Sequence, residues 1–324
     1  MRRGNGINRV WYNSRMKILL TGATGMLGRA TRRRLAAEGG LEVLGLCHAR
    51  SGDGLRPVDL RDEDALRRVL ETFRPDVVLH TAAVREPDAF ARDIAAARRL
   101  NVDATRRLAE WTAAHGAYLV YISTDYVFDG TAAPYAPDAA PHAVNGYGQS
   151  KLDGERAVRA AAPSSAAVLR VPILYADDVE TLGESSATAV FAQVLRLRDG
   201  GAGEVVLDDW ATRYPTHVGE IADVLAQMAR RRPAGIFHWS GREPMTKLEM
   251  GRVAARILGV DPARLKGSGA PANGSEPRPK DCHLDCSALP ALGIDAAPRA
   301  FAETARAILE KRGFRYKCGS GLTS

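Results

Sequence analysis

The amino-acid sequence predicts an α/β fold, a doubly wound parallel sheet with a smaller, discontinuous C-terminal α/β domain. Three observations carry the prediction. Short runs that are apolar at nearly every position alternate with stretches of helical spacing. A glycine-rich turn, "TGATGMLG" (21–28), joins the first apolar run to the first helical stretch, and the alternation loosens after about Pro172. A strand apolar on both faces is buried on both faces, which places helices on each side of a parallel sheet.

Each element follows in order. "KILLTG" (17–22) is a buried strand, and "MLGRATRRRLAAEG" (26–39) has helical spacing that stops at Gly39. "EVLGLC" (42–47) is a second strand. "DEDALRRVLETF" (62–73) is a helix whose acidic opening suits a helix N-terminus. "PDVVLHTAA" (75–83) is a third long apolar strand, and 92–116 reads as one long helix ending at Gly116. "AYLVYIS" (117–123) is the next strand, 145–162 a loop entering a helix, and "AAVLRVPIL" (166–174) a further strand. Beyond Pro172 the segment 177–201 holds one helix with irregular flanks. "HVGEIADVLAQMARR" (217–231) and "GIFHWSG" (235–241) read as a helix and strand that return to the main sheet. Thr246 and Glu249 have the spacing of a capping box at a helix start, and "GSGAPANGSEPRPKD" (267–281) is a surface loop.

The expected layout is a flexible extension over 1–15 and a nucleotide-binding unit over 16–172 plus about 205–238. A smaller unit over about 173–204 plus 239–314 and a flexible tail over 315–324 complete it. The 324 residues, 45% hydrophobic and 26% charged, suffice for one large domain or two coupled ones. The net charge of +7 lies in short Arg runs inside helical stretches, which read as solvated helix faces rather than a nucleic-acid surface. Four Cys, no secretory leader and no apolar run of membrane-spanning length point to a cytoplasmic chain without a membrane partner. Cys282 and Cys286 have no second ligand pair near them, so no metal site is expected.

The turn Gly22-x-x-Gly25-x-x-Gly28, with Thr24, Met26 and Leu27 between, has the logic of a Rossmann nucleotide site. Glycines let the backbone turn sharply and approach a pyrophosphate, and the helix N-terminus offers N–H donors. Where an acid for a ribose diol is usual, the second strand ends in Cys47 and His48, with Arg50 following. An Arg there accepts a 2′-phosphate, which favours NADP over NAD; Asp53, further into a Gly-rich loop, is the competing acid. Asp59 and Leu60 suit the adenine edge, and Ala82 and Ala83 are small enough for backbone to pass under a ribose.

"YISTDYVFDGT" (121–131) places more polar groups at a strand end than a turn requires. Tyr147 and Lys151, four apart in "YGQSK", share a helix face. A Tyr hydroxyl with its pKa lowered by a nearby ammonium serves as acid or base in hydride transfer at a carbonyl. Thr124, or alternatively Ser123, supplies a hydroxyl that polarises the substrate oxygen. Trp210, Arg213, Tyr214 and Pro215 either line a cleft or anchor the two units together. Arg278 and Lys280 are candidates to reach an anion, and Trp239 reads as core.

Taken in this order, the glycine turn, strand-end hydroxyls and Tyr–Lys pair resemble the extended short-chain dehydrogenase/reductase superfamily. "STDYVFDG" and the segment from Pro141 to Glu155 are similar to the dTDP-4-dehydrorhamnose reductase family. Within it, "NVDAT", "YISTDYVFDGT", "SKLDGE", "RYPTHV", "FHWSG", "MTKLEM" and "RPKDCHLDCSAL" resemble the regulatory β subunits of methionine adenosyltransferase, from about Met16 to Asp295. That resemblance implies an NADP-binding subunit that partners the methionine adenosyltransferase catalytic subunit. The alternative it leaves is an NADPH-dependent reductase of a 4-keto-6-deoxy sugar nucleotide. Reductases of that pathway carry a Tyr-Thr-x-Val-Asp-like segment where this chain has "AAVREPDAF", and Thr-Ser-Trp where it has Val171, Pro172 and Ile173. The tail "KRGFRYKCGSGLTS" keeps the Lys-Arg start of the β subunits and then departs from them. Asn101 and Pro172 complete the candidate cofactor-binding set.

Overall fold

Seven strands line up as neighbours in one parallel sheet. The structure, a computed structural model, describes residues 15–48, 52–271 and 276–313. Of the flexible segments expected at 1–15 and 315–324, residues 1–14 and 315–324 lie outside the described residues, as does Arg50. β1 (Met16–Thr21) leads through the glycine turn to α1 (Met26–Ala36), then β2 (Leu41–Cys47), β3 (Leu55–Pro57) and α2 (Glu63–Phe73). β4 (Val77–His80) precedes α3 (Pro87–Arg92), α4 (Ile94–Arg98), a π-helical turn (Arg99–Ala104) and α5 (Thr105–His115). β5 (Tyr118–Thr124), α6 (Gly146–Ala161) and β6 (Ala166–Val171) follow. Next come β7 (Leu174–Tyr175), α7 (Ala189–Arg198), β8 (Val205–Leu207), β9 (Thr216–His217) and α8 (Val218–Arg231). The chain then forms β10 (Gly235–His238), α9 (Lys247–Leu258), β11 (Leu265–Gly267), α10 (Ala288–Ala291) and α11 (Phe301–Lys311).

The sheet order is β10-β6-β5-β4-β1-β2-β3, every pair parallel, with the order reversing between β1 and β4. This is the doubly wound sheet the alternation predicts, and β10 joins its far edge as expected. Successive strand residues serve opposite faces. Ile18, Leu20, Val77, Leu79 and Val120 pack with α1 and α8, while Leu19, Val78, Leu119, Tyr121 and Val168 pack with α2, α5 and α6. β7 with β9, and β8 with β11, form two short parallel pairs outside the main sheet.

The long helix expected over 92–116 is broken in two places. Asp93 turns the chain at φ −147° and caps α4 by accepting the Ala96 N–H. The π-helical turn then places Asn101 so that its side chain bonds both backbone groups of Val84 at 2.9 Å. A side chain reaching across to another loop competes with the regular ladder, which the local spacing of apolar residues does not reveal. The capping box at Thr246 and Glu249 forms as predicted, and Trp239 is buried.

One ion pair fastens α6 to the sheet. Arg170 on β6 makes a two-pronged contact with Glu155 on α6, Nε to Oε1 at 2.9 Å and Nη2 to Oε2 at 2.7 Å. Ser123, the register partner of Arg170 on β5, donates to the same carboxylate at 2.5 Å. Arg170 and Glu155 are about 2% exposed, and the third guanidinium nitrogen donates to the Pro137 carbonyl at 3.2 Å. Removing one partner leaves the other charge buried and unpaired. Arg170→Met is therefore expected to cost about 3–5 kcal/mol in denaturant unfolding, and the double variant Arg170→Met/Glu155→Gln to recover part of the loss. A single variant as stable as wild type would contradict this account.

Candidate active site

The glycine turn is shaped by two contacts that no side chain tolerates. Gly22 has φ +65°, and a Cβ there would lie 2.9 Å from the Ala82 backbone. A Cβ on Gly28 would lie 2.1 Å from the Gly22 carbonyl oxygen, so α1 meets the turn backbone to backbone. Gly25 is the N-cap of α1 and brings no capping side chain, and the first turn carries no acid. The free N–H groups of that turn and the positive end of the helix dipole suit an anion. Gly22, Thr24, Gly25, Met26 and Leu27 line a cleft of about 630 Å³, a volume in the range of small-molecule sites. Gly28 stays behind the lining, as the packing glycine.

At one end the cleft is walled by His48, Asp59, Leu60 and Arg61, and its floor includes Ala82 and Ala83. The Arg61 guanidinium grips Asp59 at 2.8–3.1 Å and, as the largest cause, pulls its carboxyl down to about 2. The Asp59 charge is thus already partnered. Pro172 lines the cleft; Asn101 does not, because it ties Val84 and Ser150 instead.

At the other end the structure separates the two candidate hydroxyls. Ser123 is committed to Glu155, whereas Thr124 stands beside Tyr147 in the cleft lining. Thr124 also donates to Asp125 Oδ1 at 3.0 Å and caps a single 3-10 turn by accepting the Tyr126 N–H. Tyr147 sits in the first turn of α6, set there by Asn145, whose side chain accepts the Gly148 N–H at 2.8 Å. Lys151 lies one turn on and is buried, with its ammonium 4.1 Å from the centre of the Tyr121 ring.

The lowered tyrosine pKa expected from the Tyr–Lys spacing is not what the site produces. Burial raises Tyr147 above its ordinary value, and Thr124 only partly offsets this. The Lys151 ammonium rests on Tyr121, and burial pushes its own pKa down to about 7 while Glu155 opposes the shift.

Several cleft residues escape sequence reasoning. Asp125 is buried next to Thr124, and burial pushes it up to about 7 against the pull of the Thr124 hydrogen bond and Arg213. Lys247 on α9 joins Arg213 and Arg278 in the lining; burial chiefly, then those two cations, lower its pKa. Arg278 holds Asp88 at 2.6 Å, while Lys280 is exposed and outside the lining. Tyr214 stacks on His283 at 4.4 Å, so of the aromatic-basic cluster only Arg213 faces the cleft. Glu184 closes one wall, paired with Arg29 of α1 at 2.8 Å and with its carbonyl taken by Arg85. Lys247 and Glu184 are singled out only by contacts between distant segments.

Asp125 and Lys151 make folding pH-dependent with opposite signs. Asp125 is raised from 3.8, so its stabilising effect is lost as pH climbs from about 4 to 7, where the unfolded chain has already released the proton. Lys151 is lowered from 10.5, so stability rises from about pH 7 to 10.5, where the unfolded chain still holds the proton. Asp125→Asn is expected to melt higher than wild type at pH 7 to 8, with the gain vanishing by about pH 4. Lys151→Met is expected to melt higher at pH 7, with the gain vanishing by about pH 10.5. Thermal melts across pH check both, and a gap that stays constant with pH would refute the assignment.

Comparison with known proteins agrees with this geometry. Residues 16–313 match the family described as RmlD substrate binding domain. The chain is 42% identical over 283 residues to methionine adenosyltransferase 2 subunit beta of Xenopus laevis, covering 86% of this chain and 83% of that one. It is 37% identical over 268 residues to a Streptomyces antibioticus protein named "Probable dTDP-4,6-dihydroxy-2-methyloxan-3-one 4-ketoreductase", covering 82% of this chain and 85% of that one. Among solved structures, a hypothetical dTDP-4-dehydrorhamnose reductase from Sulfolobus tokodaii superposes with TM-score 0.77 at 25% identity, over 89% of this chain and 99% of that one. The NADP complex of dTDP-4-dehydrorhamnose reductase from Bacillus anthracis shares the fold, with TM-score 0.75 at 20% identity over 92% of this chain and 98% of that one. The chain therefore belongs to the RmlD substrate-binding-domain family, alongside the β subunits of methionine adenosyltransferase 2.

Proposed function

We propose that this chain is an NADP-binding regulatory β subunit of a methionine adenosyltransferase, which modulates S-adenosylmethionine synthesis by the catalytic subunit. The observation that carries the reading is the likeness to the β subunits, which spans most of both chains. The residues fit a dinucleotide. The Gly22–Gly28 cradle and the uncapped start of α1 would hold the pyrophosphate, and Asp59 and Leu60 the adenine edge. NADP is favoured over NAD because β2 ends in Cys47, followed by His48, rather than in an acid, and Asp59 is already held by Arg61. Residues 16–172 plus about 205–238 would form the nucleotide-binding unit, leaving about 173–204 and 239–314 to face the cleft ligand or the partner.

A second reading is supported by the Thr124–Tyr147 hydroxyl pair. Bound in this cleft, NADPH would supply a hydride. Tyr147 would donate a proton to a substrate oxygen that Thr124 orients, as in reduction of a 4-keto-6-deoxy sugar nucleotide.

Two experiments separate the readings. Mixed with a cognate catalytic subunit at micromolar concentration, with and without NADP, the chain is expected to co-elute on size exclusion; separate peaks in both conditions sink the regulatory reading. NADPH oxidation with a 4-keto-6-deoxy sugar nucleotide, lost in Tyr147→Phe, is the signature of the reductase. Turnover no faster than background removes that reading.

A further inference from the structure

A row of polar side chains crosses the sheet beneath the cleft without entering it. Thr21, His80 and Tyr121 are register partners on β1, β4 and β5. The His80 ring lies between two hydroxyls, Thr21 at 2.7 Å from Nδ1 and Thr105 at 2.9 Å from Nε2. It stacks on the Tyr121 ring with centroids 5.6 Å apart. Burial pushes the His80 pKa down to about 3, so this neighbour adds no positive charge. The Lys151 ammonium lies 4.1 Å from the Tyr121 ring centre, and it has no carboxylate within ion-pair distance among the described residues. Lys151 is 3% exposed and Tyr121 0%. A cation at that depth needs a compensating surface, and the negative face of an aromatic ring is one. Room for the ring comes from α6: a Cβ on Gly154 would lie 2.3 Å from the Tyr121 hydroxyl oxygen.

We propose that Tyr121 is a positioning residue: its ring, backed by His80 and given space by Gly154, holds the Lys151 ammonium beneath the cleft, one helical turn from Tyr147, on the side a bound nicotinamide ribose would occupy. The inference rests on the dinucleotide reading of the cleft; neither Tyr121 nor Lys151 is part of the cleft lining, and Tyr121 itself touches no ligand. It assigns work to two positions, Tyr121 and Gly154, that hydride-transfer chemistry alone leaves idle.

The test uses the full chain with its lysine ε-methylene groups labelled with ¹³C, and Lys151→Met identifies the Lys151 signal. In wild type, the ring face should shift the Lys151 ε-protons upfield; ε-protons at their ordinary position overturn the proposal without any Tyr121 variant. Tyr121→Leu removes the ring but keeps the site apolar. It is expected to lower the Lys151 titration midpoint by about half a unit to one unit, and Tyr121→Phe to restore it. A midpoint that stays or rises in Tyr121→Leu also overturns it. NADPH affinity supplies a cycle. Tyr121→Leu should weaken binding about five- to tenfold when Lys151 is present, and less than about twofold in Lys151→Met. Equal losses in both backgrounds assign Tyr121 a merely structural part and overturn the proposal. If wild type binds no NADPH, the dinucleotide reading fails instead, and the lysine titration decides the platform by itself.

Discussion

The candidate site stands on the buried pair of Arg170 and Glu155. Thr124 is the last residue of β5, while Tyr147 and Lys151 lie on α6, and sheet and helix meet at this carboxylate. Ser123 and His238 flank Arg170 in register on the neighbouring strands, and the guanidinium also lies 5.0 Å from the centre of the Phe128 ring. Each of the three Arg170 nitrogens has an acceptor, and Ser123 adds a donor to the same carboxylate, the condition under which a buried charge pair holds a geometry rather than weakening the fold. The helix cannot slide along the sheet without stripping Glu155 of several partners at once. The spacing between Thr124 and Tyr147 inherits that rigidity.

Around this fixed frame the cleft keeps charges in an unfavourable state. Asp125 is an acid held near neutrality by burial, Lys151 a base brought down toward it, and Lys247 a third cation crowded by Arg213 and Arg278. Such groups reduce stability, and their concentration in and just beneath one cleft marks a place where the fold serves something other than its own packing. Both proposed readings draw on the same groups. A regulator needs them to recognise a ligand, and a reductase needs them to move a proton as well.

Much of the sheet is legible in the sequence because its signals are local. Both-face apolar runs, the spacing of Gly22, Gly25 and Gly28, and the Thr246–Glu249 cap are each read within a few residues. The strand-end hydroxyls are half legible. "ST" offers two, and only the position of Glu155, thirty-two residues on, shows that Ser123 is taken. The tyrosine pKa is misjudged for the same reason, since helix spacing brings Lys151 near Tyr147 but does not reveal that Tyr121 receives the ammonium. Arg213, Lys247 and Arg278 converge from three distant segments, and no periodicity connects them. Arg29 reads as one more charge on a helix face until Glu184 is found opposite it.

The π-helical turn at Arg99–Ala104 has a consequence for how this segment can change in length. Such a turn carries one residue more than the regular helix spanning the same distance. Here the surplus puts Asn101 opposite the Val84 backbone, which runs beside Ala82 and Ala83 on the cleft floor. Deleting a single residue from the turn would let α4 and α5 fuse into one continuous helix, the very form their composition suggests. It would also rotate Asn101 away and leave the Val84 N–H and carbonyl without it. Elsewhere in a helix a one-residue deletion throws the apolar face out of phase. At this position it would mend the helix and release the floor of the cleft.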